Sequence, residues 1–255
     1  MGILRYAGGK PNMTTPTPIT TFVASELDIG TTVKLMLNGS EVDFLVVNQG
    51  IPSGSSLYDA SCDGTWLLMK NCYDTTKWHS KATNLYASST FKTYLNGTFY
   101  NLFGTTEKNV IKQVKIPYVS HINRATSTIS SGANGLSSYV FPLSCYEIGW
   151  TIGIYTDDDG YTEAIPVSGA KLAYFSSGNT TEANNKRIAY LNDAQYPWWL
   201  RDGLYKAGMA GVYAVSDTGA GYDYDSRIPC GVRPCIVIDS TSIFDINTLT
   251  LKEVS

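Results

Sequence analysis

Few side chains in this 255-residue sequence could carry out nucleophilic or acid–base chemistry. The two histidines, His79 and His121, lie among polar residues in the segments KWHSK and VSHIN, where a surface or hydrogen-bonded histidine is typical. The sequence contains no HExxH, GxSxG, Walker or GxGxxG motif, the patterns that position a base, a nucleophile or a phosphate. An enzyme needs several such groups in one constellation. We therefore predict a protein that is not an enzyme.

The five cysteines are an odd number, so at least one thiol has no partner within the chain. No two cysteines have CxxC spacing, which is typical of zinc sites. Cys230 and Cys235 are close enough in sequence to meet across a bend, and a reactive pair there would favour an enzyme. We favour buried, unreactive thiols, because a free cysteine often packs as a small hydrophobic residue. We predict no cofactor.

Two groups of acidic residues could bind a hard cation. Residues 157–159 with Glu163 resemble the start of a calcium loop, but the regular alternation of ligands is missing. A solvated turn is the favoured interpretation. A second group contains Asp217, Asp223 and Asp225. We predict no metal site, and calcium binding is left open.

Aromatic residues offer binding chemistry where catalytic groups are scarce. The sequence has 18 Tyr, 8 Phe and 5 Trp together with 23 Gly, and Tyr, Ser, Gly and Asn are favoured on recognition surfaces. A polar, loop-rich β protein would have the same composition. The Gly- and Tyr-rich segment 202–229 lies between Arg201 and Arg233 and is interpreted as a loop that displays the ligand site. The predicted ligand-binding residues are Trp199, Tyr205, Tyr222, Asp223, Tyr224 and Asp225.

A surface formed by these aromatic and acidic residues could stack on a sugar ring and bind its hydroxyl groups, or contact a protein. Trp198 and Trp199 are adjacent, and neighbours on a strand point to opposite faces. One of them should enter the core, while the other could face a ligand or partner. We predict that Trp66, Trp198 and the strand 231–238 are buried together, and that the two flanking arginines lock the final strands.

Charge and hydropathy argue against several classes of partner. The net charge is -3 and only 16% of residues are charged, which argues against a basic nucleic-acid binder and a polybasic membrane-surface protein. No stretch approaches the roughly 18 continuous apolar residues of a membrane helix, so we predict no membrane insertion. The N-terminal segment also lacks an apolar run of signal-peptide length.

Strand signals identify the elements that would position these residues. Asn38-Gly39 joins the apolar runs 31–37 and 42–48, which is a strong hairpin signal. The segment 65–70 is predicted to be a buried strand. Further strands are predicted at 139–143, 211–216, 232–238 and 243–251.

Helix and loop signals fill the remaining chain. Apolar spacing predicts a short helix within 88–101 and a second helical turn through the residues EKNVIKQV. Ser144 followed by Glu147 matches a capping box, which predicts the start of another short helix. The polar segments 120–138 and 176–186 are predicted to be loops.

Residues 1–24 are predicted to form an extended arm. Pro11, Pro16 and Pro18 lie there among threonines, and proline lacks the donor that a sheet interior needs. We expect the arm to be mobile or to lie on a partner subunit. Residues 25–255 should form a single α+β domain with short strands, two or three short helices and long loops.

Five segments, in the same order, resemble a bacterial and phage family known as domain of unknown function 6273. They are NLYASSTFKTYLNGTFYNLFGTTEKNVIK (84–112), YVFPLSCYEIG (139–149), YPWWLRDG (196–203), GVYAVSDTG (211–219) and GVRPCIVI (231–238). The sequence departs from the family pattern at Asp202, where serine is usual, and at Cys235, where alanine is usual. The resemblance implies a C-type-lectin-like fold, which is also similar to that of formylglycine-generating enzymes.

The resemblance also implies a biological setting. Members of the family often occur in phage or prophage structural regions or on bacterial surfaces, and variable proteins of diversity-generating retroelements share the Trp-rich strand. A virion protein of the tail or head is implied, which binds host surface glycan or protein and contacts other virion subunits as a homo-oligomer. The alternatives are a bacterial surface or secreted adhesin and, less favoured, an enzyme of the formylglycine-generating type. The EPN and QPD tripeptides of C-type lectins are absent.

Overall fold

The computed structural model describes residues 20–81, 83–122, 127–150, 165–206 and 209–253. Its fold is mixed, with many short strands in several sheets and few short helices. Within these ranges no helix has the length and apolar character needed to cross a membrane. The α-helices are α1 (Thr90–Tyr94), α2 (Thr105–Val110) and α3 (Thr181–Arg187).

The strands are short and are spread along the whole described chain. In chain order they are β1 (Thr21–Val23), β2 (Thr32–Leu37), β3 (Ser40–Gln49), β4 (Thr65–Met69), β5 (Thr75–Lys77), β6 (Val114–Ile116), β7 (Tyr118–Ile122), β8 (Ser127–Ser130), β9 (Leu136–Ser138), β10 (Tyr190–Leu191), β11 (Ala194–Gln195), β12 (Trp198–Lys206), β13 (Met209–Val215), β14 (Gly221–Asp225), β15 (Pro229–Gly231), β16 (Cys235–Ile238) and β17 (Ile243–Asp245).

The first large sheet contains four antiparallel strands in the order β16-β4-β3-β2. Its β2–β3 hairpin turns at Asn38 and Gly39, whose φ angles of 50° and 77° are the two positive values that a type I′ turn requires. The central strand β4 is buried along its whole length, and its Trp66 pairs with Val237 of β16. The predicted hairpin and the predicted buried strand are both confirmed.

The second large sheet has the strand order β14-β13-β12-β15-β5. Strands β12, β13 and β14 occupy most of the segment 202–229, so the prediction of a loop there is wrong. Trp198 pairs with Val215, and Val215 pairs with Gly221, so the backbone groups bond to each other instead of to water. A glycine that suggested a loop has a packing role, because a Cβ at Gly221 would meet the Trp150 ring at 1.6 Å.

The two large sheets share one hydrophobic core. The chain crosses between them twice, from β4 to β5 and from β15 to β16. Trp66 of the first sheet and Trp198 of the second belong to the same buried cluster, and residues 231–238 are buried throughout. The predicted common core is confirmed. Trp199 is fully buried as well, so the expectation that one of the two adjacent tryptophans faces outward is wrong.

Helix caps follow the local sequence closely. The Ser89 hydroxyl accepts a hydrogen bond from the Lys92 amide at 2.9 Å and caps α1. Ser144 and Glu147 form the predicted reciprocal capping box, with bonds of 2.9 and 3.1 Å. Only a single turn follows this box, closed by the Ile148 amide on the Ser144 carbonyl.

Three polar or mixed segments differ from their predictions. The predicted loop 120–138 contains parts of two strand pairs, β7–β8 and β6–β9. The predicted loop 176–186 contains most of α3, which Thr180 caps through the Ala183 amide at 3.2 Å. The predicted strand 139–143 makes only an isolated bridge to Cys235. Short, polar elements lack the apolar periodicity on which the predictions depend.

The predicted arm of residues 1–24 lies mostly outside the described residues. In its described part, Thr21–Val23 form β1, which pairs with Ile243–Asp245 of β17 in a separate two-stranded sheet. Ala24 is fully buried. The packed unit therefore includes residues from Thr21 onward.

Candidate ligand-binding face

Strand alternation divides the predicted ligand-binding residues between two faces of the second sheet. Side chains of successive strand residues point to opposite faces, so Tyr222 and Tyr224 share one face of β14. Asp223 and Asp225 point to the other face. The aromatic and acidic side chains that we expected to act together are therefore separated.

The face with the two tyrosines has a buried aromatic support. Ala214 of β13 pairs with Trp199 on one side and with Tyr222 on the other, and its small side chain lets the large rings lie beside each other. The ring centroids are 5.9 Å apart for Trp199 and Tyr224, and 4.8 Å apart for Tyr222 and Tyr224. Tyr222 is 50% exposed, whereas Trp199 is completely buried.

Trp199 cannot contact a ligand directly, which corrects its assignment as a ligand-binding residue. Its indole Nε1 donates a hydrogen bond to the Thr76 carbonyl of β5 at 2.8 Å, so the ring lies across the second sheet. A buried ring fixed at both ends is a rigid base for Tyr224 and Tyr222. Trp199 therefore positions the tyrosines and does not form part of the exposed surface.

Tyr224 is less exposed than Tyr222 and completes this surface. Burial raises the pKa of the Tyr224 hydroxyl, and neighbouring ionisable groups raise it further, namely Cys230, Tyr222, Asp217 and Tyr196. Tyr196 is partly exposed and Asp217 is exposed, at the turn between β13 and β14. We call Tyr222 and Tyr224 the tyrosine face.

The remaining predicted residues lie elsewhere. Asp225 accepts hydrogen bonds from the Arg227 backbone and guanidinium, at 2.9, 2.8 and 2.6 Å, and these bonds lower its pKa. Tyr205 pairs with Ala210, which is four positions from Ala214 and hence about 13 Å along the strand. The structure thus brings together Tyr222 and Tyr224 but not Tyr205, Asp223 or Asp225.

A buried ion pair fixes β12, the strand that carries Trp199. The Arg201 guanidinium binds both carboxylate oxygens of Glu147, at 2.5 and 2.6 Å. It also donates to the carbonyls of Pro117, Pro142 and Ser168. Burial by itself would lower the pKa of Arg201, but the Glu147 carboxylate outweighs this effect and raises it.

Two more buried polar groups extend the ion pair into a network. The Tyr58 hydroxyl donates to Glu147 at 2.8 Å. The Asp202 carboxylate accepts bonds from the Cys145 amide at 2.7 Å and the Ser168 hydroxyl at 2.5 Å. Asp202 therefore has a structural reason to be present where serine is usual, because it ties two neighbouring segments to β12.

The second arginine, Arg233, connects the two large sheets. Its guanidinium donates to the carbonyls of Met69 at 3.0 Å and Arg187 at 2.9 Å, and its Cζ lies 4.8 Å from the Trp198 ring centroid. Burial lowers its pKa to about 10. The interpretation that the two arginines lock the final strands agrees with these contacts.

The comparison with known families covers this whole region. Residues 63–240 match the model of a family described as Domain of unknown function (DUF6273), which is more than half of the chain. The chain belongs to the DUF6273 family. No curated protein and no solved structure shows significant similarity to it.

The DUF6273 match includes every residue of the tyrosine face and both locking arginines. It also includes in full all five segments used in the sequence comparison, among them YVFPLSCYEIG, which contains Glu147. The family description assigns no activity. The chemistry of this DUF6273 member therefore has to be argued from its own side chains.

The cysteines of this DUF6273 domain are poorly suited to nucleophilic chemistry. All five are free and buried. Burial raises the pKa of Cys72 to about 11 and that of Cys62 to about 12, and it raises the pKa of Cys230 and Cys235 as well. Since the thiolate is the nucleophile, these thiols react slowly at neutral pH.

In the native protein, none of the five cysteines is expected to react with a thiol reagent at pH 8 during the time in which a free thiol reacts completely. Unfolding in guanidinium should expose all five, because the protection comes from burial and raised pKa values. Absorbance after addition of Ellman's reagent measures the number of reactive cysteines in the native and in the unfolded protein. Rapid modification of Cys230 or Cys235 in the folded protein would contradict this expectation and favour the enzyme alternative.

Metal ligands are not grouped in the described part of the chain. No cluster of three or more His, Cys, Asp or Glu residues there could hold a metal ion. The acidic run 157–159 and Glu163 lie outside the described residues. The His79 ring contacts backbone groups through both nitrogens. Its Nδ1 accepts a hydrogen bond from the Lys81 amide at 2.8 Å, and its Nε2 lies 3.1 Å from the Ser88 carbonyl oxygen.

Proposed function

We propose that this chain is a non-enzymatic, lectin-like binding module of a phage virion that attaches to the host surface through its tyrosine face. Its ligand is a host surface glycan or a protein displayed there. The module belongs to the tail or to the decoration of the head and contacts other virion subunits as part of a homo-oligomer. A bacterial surface adhesin with the same binding face is the alternative setting.

One observation carries this proposal. Tyr222 is half exposed on a β strand and packs against Tyr224, which in turn packs against the completely buried Trp199. Rigid aromatic side chains supply most of the binding energy at recognition surfaces, since they bury a large area at small entropic cost. A tyrosine can stack on a sugar ring and bind a hydroxyl group with its own hydroxyl.

The surrounding architecture favours binding over catalysis. The tyrosine face lies on a sheet that is fixed by a buried network and two arginines. Such a rigid scaffold preserves the geometry of a binding surface. The buried thiols of the described residues have raised pKa values. Many copies on one particle would raise weak individual contacts to strong attachment.

We expect Tyr222→Ala to weaken attachment of the protein to host cells about 30-fold, because loss of an aromatic anchor typically costs about 2 kcal/mol. The side chain is half exposed, so the melting temperature should stay the same. Flow cytometry with labelled protein measures attachment, and a glycan array identifies the class of sugar. Assembly is followed by counting copies of the chain in purified particles.

Tyr190→Ala is the matched control, because Tyr190 is 41% exposed but lies on β10 outside the tyrosine face. Attachment should be the same for this variant and the wild type. Loss of assembly with Tyr222→Ala would instead indicate that the face packs on a neighbouring virion protein. If Tyr222→Ala changes neither attachment nor assembly, the proposed site is wrong. Absence of the chain from purified particles would favour the adhesin alternative.

A further inference from the structure

A surface cavity lies where β3 begins and β4 ends in the first large sheet. It has a volume of about 420 Å³ and is lined by residues 41–43 and 69–73. Small-molecule pockets in proteins typically measure about 300–1,000 Å³, so this cavity is large enough for one or two sugar residues. We call it the β3–β4 cavity. It shares no residue with the tyrosine face.

The floor of the β3–β4 cavity is apolar and is fixed by the core. Met69 and Cys72 are only 4% and 7% exposed, and the partly buried Tyr73 packs against the core cluster. The Tyr73 ring meets the Phe99 ring edge to face, with the centroids 5.2 Å apart. The Tyr73 amide also donates to the Val232 carbonyl at 2.9 Å. The cavity therefore offers a supported aromatic ring to a ligand.

The rim of the cavity carries polar groups with open hydrogen-bonding positions. Glu41 Oε2 accepts a hydrogen bond from Lys34 Nζ at 3.1 Å. Asp43 Oδ2 accepts one from Lys70 Nζ at 3.4 Å. Within the described ranges, no group donates to the other oxygen of either carboxylate, and no group bonds to the exposed Asn71 side chain. Two acceptors and one amide, which both donates and accepts, are thus open to a ligand.

The charges around the cavity are balanced, and this balance favours a neutral ligand. Two carboxylates and two lysines form two exposed ion pairs. A charged ligand would lose hydration without meeting a net counter-charge, which is unfavourable. A neutral sugar residue instead presents hydroxyl groups that donate and accept, together with an apolar C–H face that can lie on an aromatic ring.

We infer that the β3–β4 cavity binds a neutral sugar residue, whose C–H face lies on the Tyr73 ring. The sugar hydroxyl groups donate to the open oxygens of Glu41 and Asp43 and bond to the Asn71 amide. Hydrogen bonds to ionised acceptors are about twice as strong as those between neutral groups, so the carboxylates fix the orientation of the sugar. This site goes beyond the proposed function and does not depend on the tyrosine face.

The test is a titration of the full-length protein with the methyl glycosides of glucose, galactose, mannose and N-acetylglucosamine, followed by nuclear magnetic resonance of the backbone amides. We expect saturable shifts at Asn71 and Tyr73 with at least one of these neutral sugars. Methyl glucuronide, which is anionic, and methyl glucosaminide, which is cationic, should each bind about fivefold more weakly than that sugar, because their charges are desolvated without a net counter-charge.

Asp43→Asn should weaken binding of the neutral sugar about tenfold, because a charged acceptor becomes a neutral one. It should also shift the preference toward methyl glucuronide, since Lys70 loses its counter-charge. The melting temperature should be nearly unchanged, as exposed ion pairs contribute little to stability. The matched control is Glu182→Gln, which alters an exposed, paired carboxylate on α3 and should bind the sugar like the wild type. Tyr222→Ala should also bind like the wild type.

The absence of saturable shifts at Asn71 and Tyr73 with all four neutral glycosides would overturn the inference, as would equal affinities of Asp43→Asn and the wild type. Shifts confined to Tyr222 and Tyr224 would assign the sugar to the tyrosine face instead. Tighter binding of either charged glycoside would reject the neutral ligand. The proposed function fails separately, because host attachment is tested with Tyr222→Ala, which leaves the β3–β4 cavity intact.

Discussion

Replacing Glu147 with glutamine is expected to lower the free energy of unfolding by about 3–5 kcal/mol, because it leaves the Arg201 guanidinium buried without its counter-charge. Both side chains are completely inaccessible to solvent and the pair is bidentate. Glutamine has nearly the same shape as glutamate, so the loss of stability is due to the missing charge and not to a change in side-chain volume. Urea unfolding followed by circular dichroism measures the change.

Glu182→Gln is the matched control for this substitution. Glu182 is also paired, with Lys186 at 3.9 Å, but its side chain is 77% exposed, and exposed ion pairs contribute little to stability. The unfolding midpoint of this variant should be nearly unchanged. Equal midpoints for Glu147→Gln and wild type would show that the buried network does not stabilise the fold.

Trp198→Ala is expected to have an effect of similar size, about 3–5 kcal/mol. The indole is completely buried, its Nε1 donates to the Arg187 carbonyl at 2.9 Å, and its ring carries the buried guanidinium of Arg233. Alanine would leave a large cavity between the sheets and remove the cation–π contact. For a domain of this size the melting temperature should fall by about 10 °C.

Trp198→Phe distinguishes the contributions to this effect. Phenylalanine retains an aromatic ring beneath Arg233 but has no indole N–H, so it should lose less stability than alanine. Tyr190→Ala, which removes an exposed ring, should leave the melting temperature almost unchanged. A melting temperature of Trp198→Ala equal to that of the wild type would contradict the observed position of Trp198 in the shared core.

These two substitutions also relate the scaffold to the tyrosine face. Arg201 and Trp198 lie on β12, the strand that also carries Trp199 beneath Tyr224. A loosened β12 would therefore weaken ligand binding indirectly, through a less rigid support. Stability has to be measured together with attachment in every variant of this strand, so that a lost binding surface is distinguished from a lost fold.

The sequence determined those features that depend on short stretches of chain. Asn38-Gly39 specifies a type I′ turn through the positive φ angles that these two residues tolerate, so the β2–β3 hairpin was predictable. Ser89 and the Ser144–Glu147 box specify caps, because the bonds join residues three positions apart. The apolar run 65–70 indicated a buried strand for the same local reason, and the ordered motifs indicated the family.

Only the tertiary structure decided the candidate site. The segment 202–229 has a loop-like composition, yet it forms strands because β12, β13 and β14 satisfy one another's backbone groups. Trp199 was expected at the surface but is completely buried and packs against the Tyr224 ring of β14. The acidic and aromatic residues of β14 were grouped by their proximity in sequence, but strand alternation places them on opposite faces.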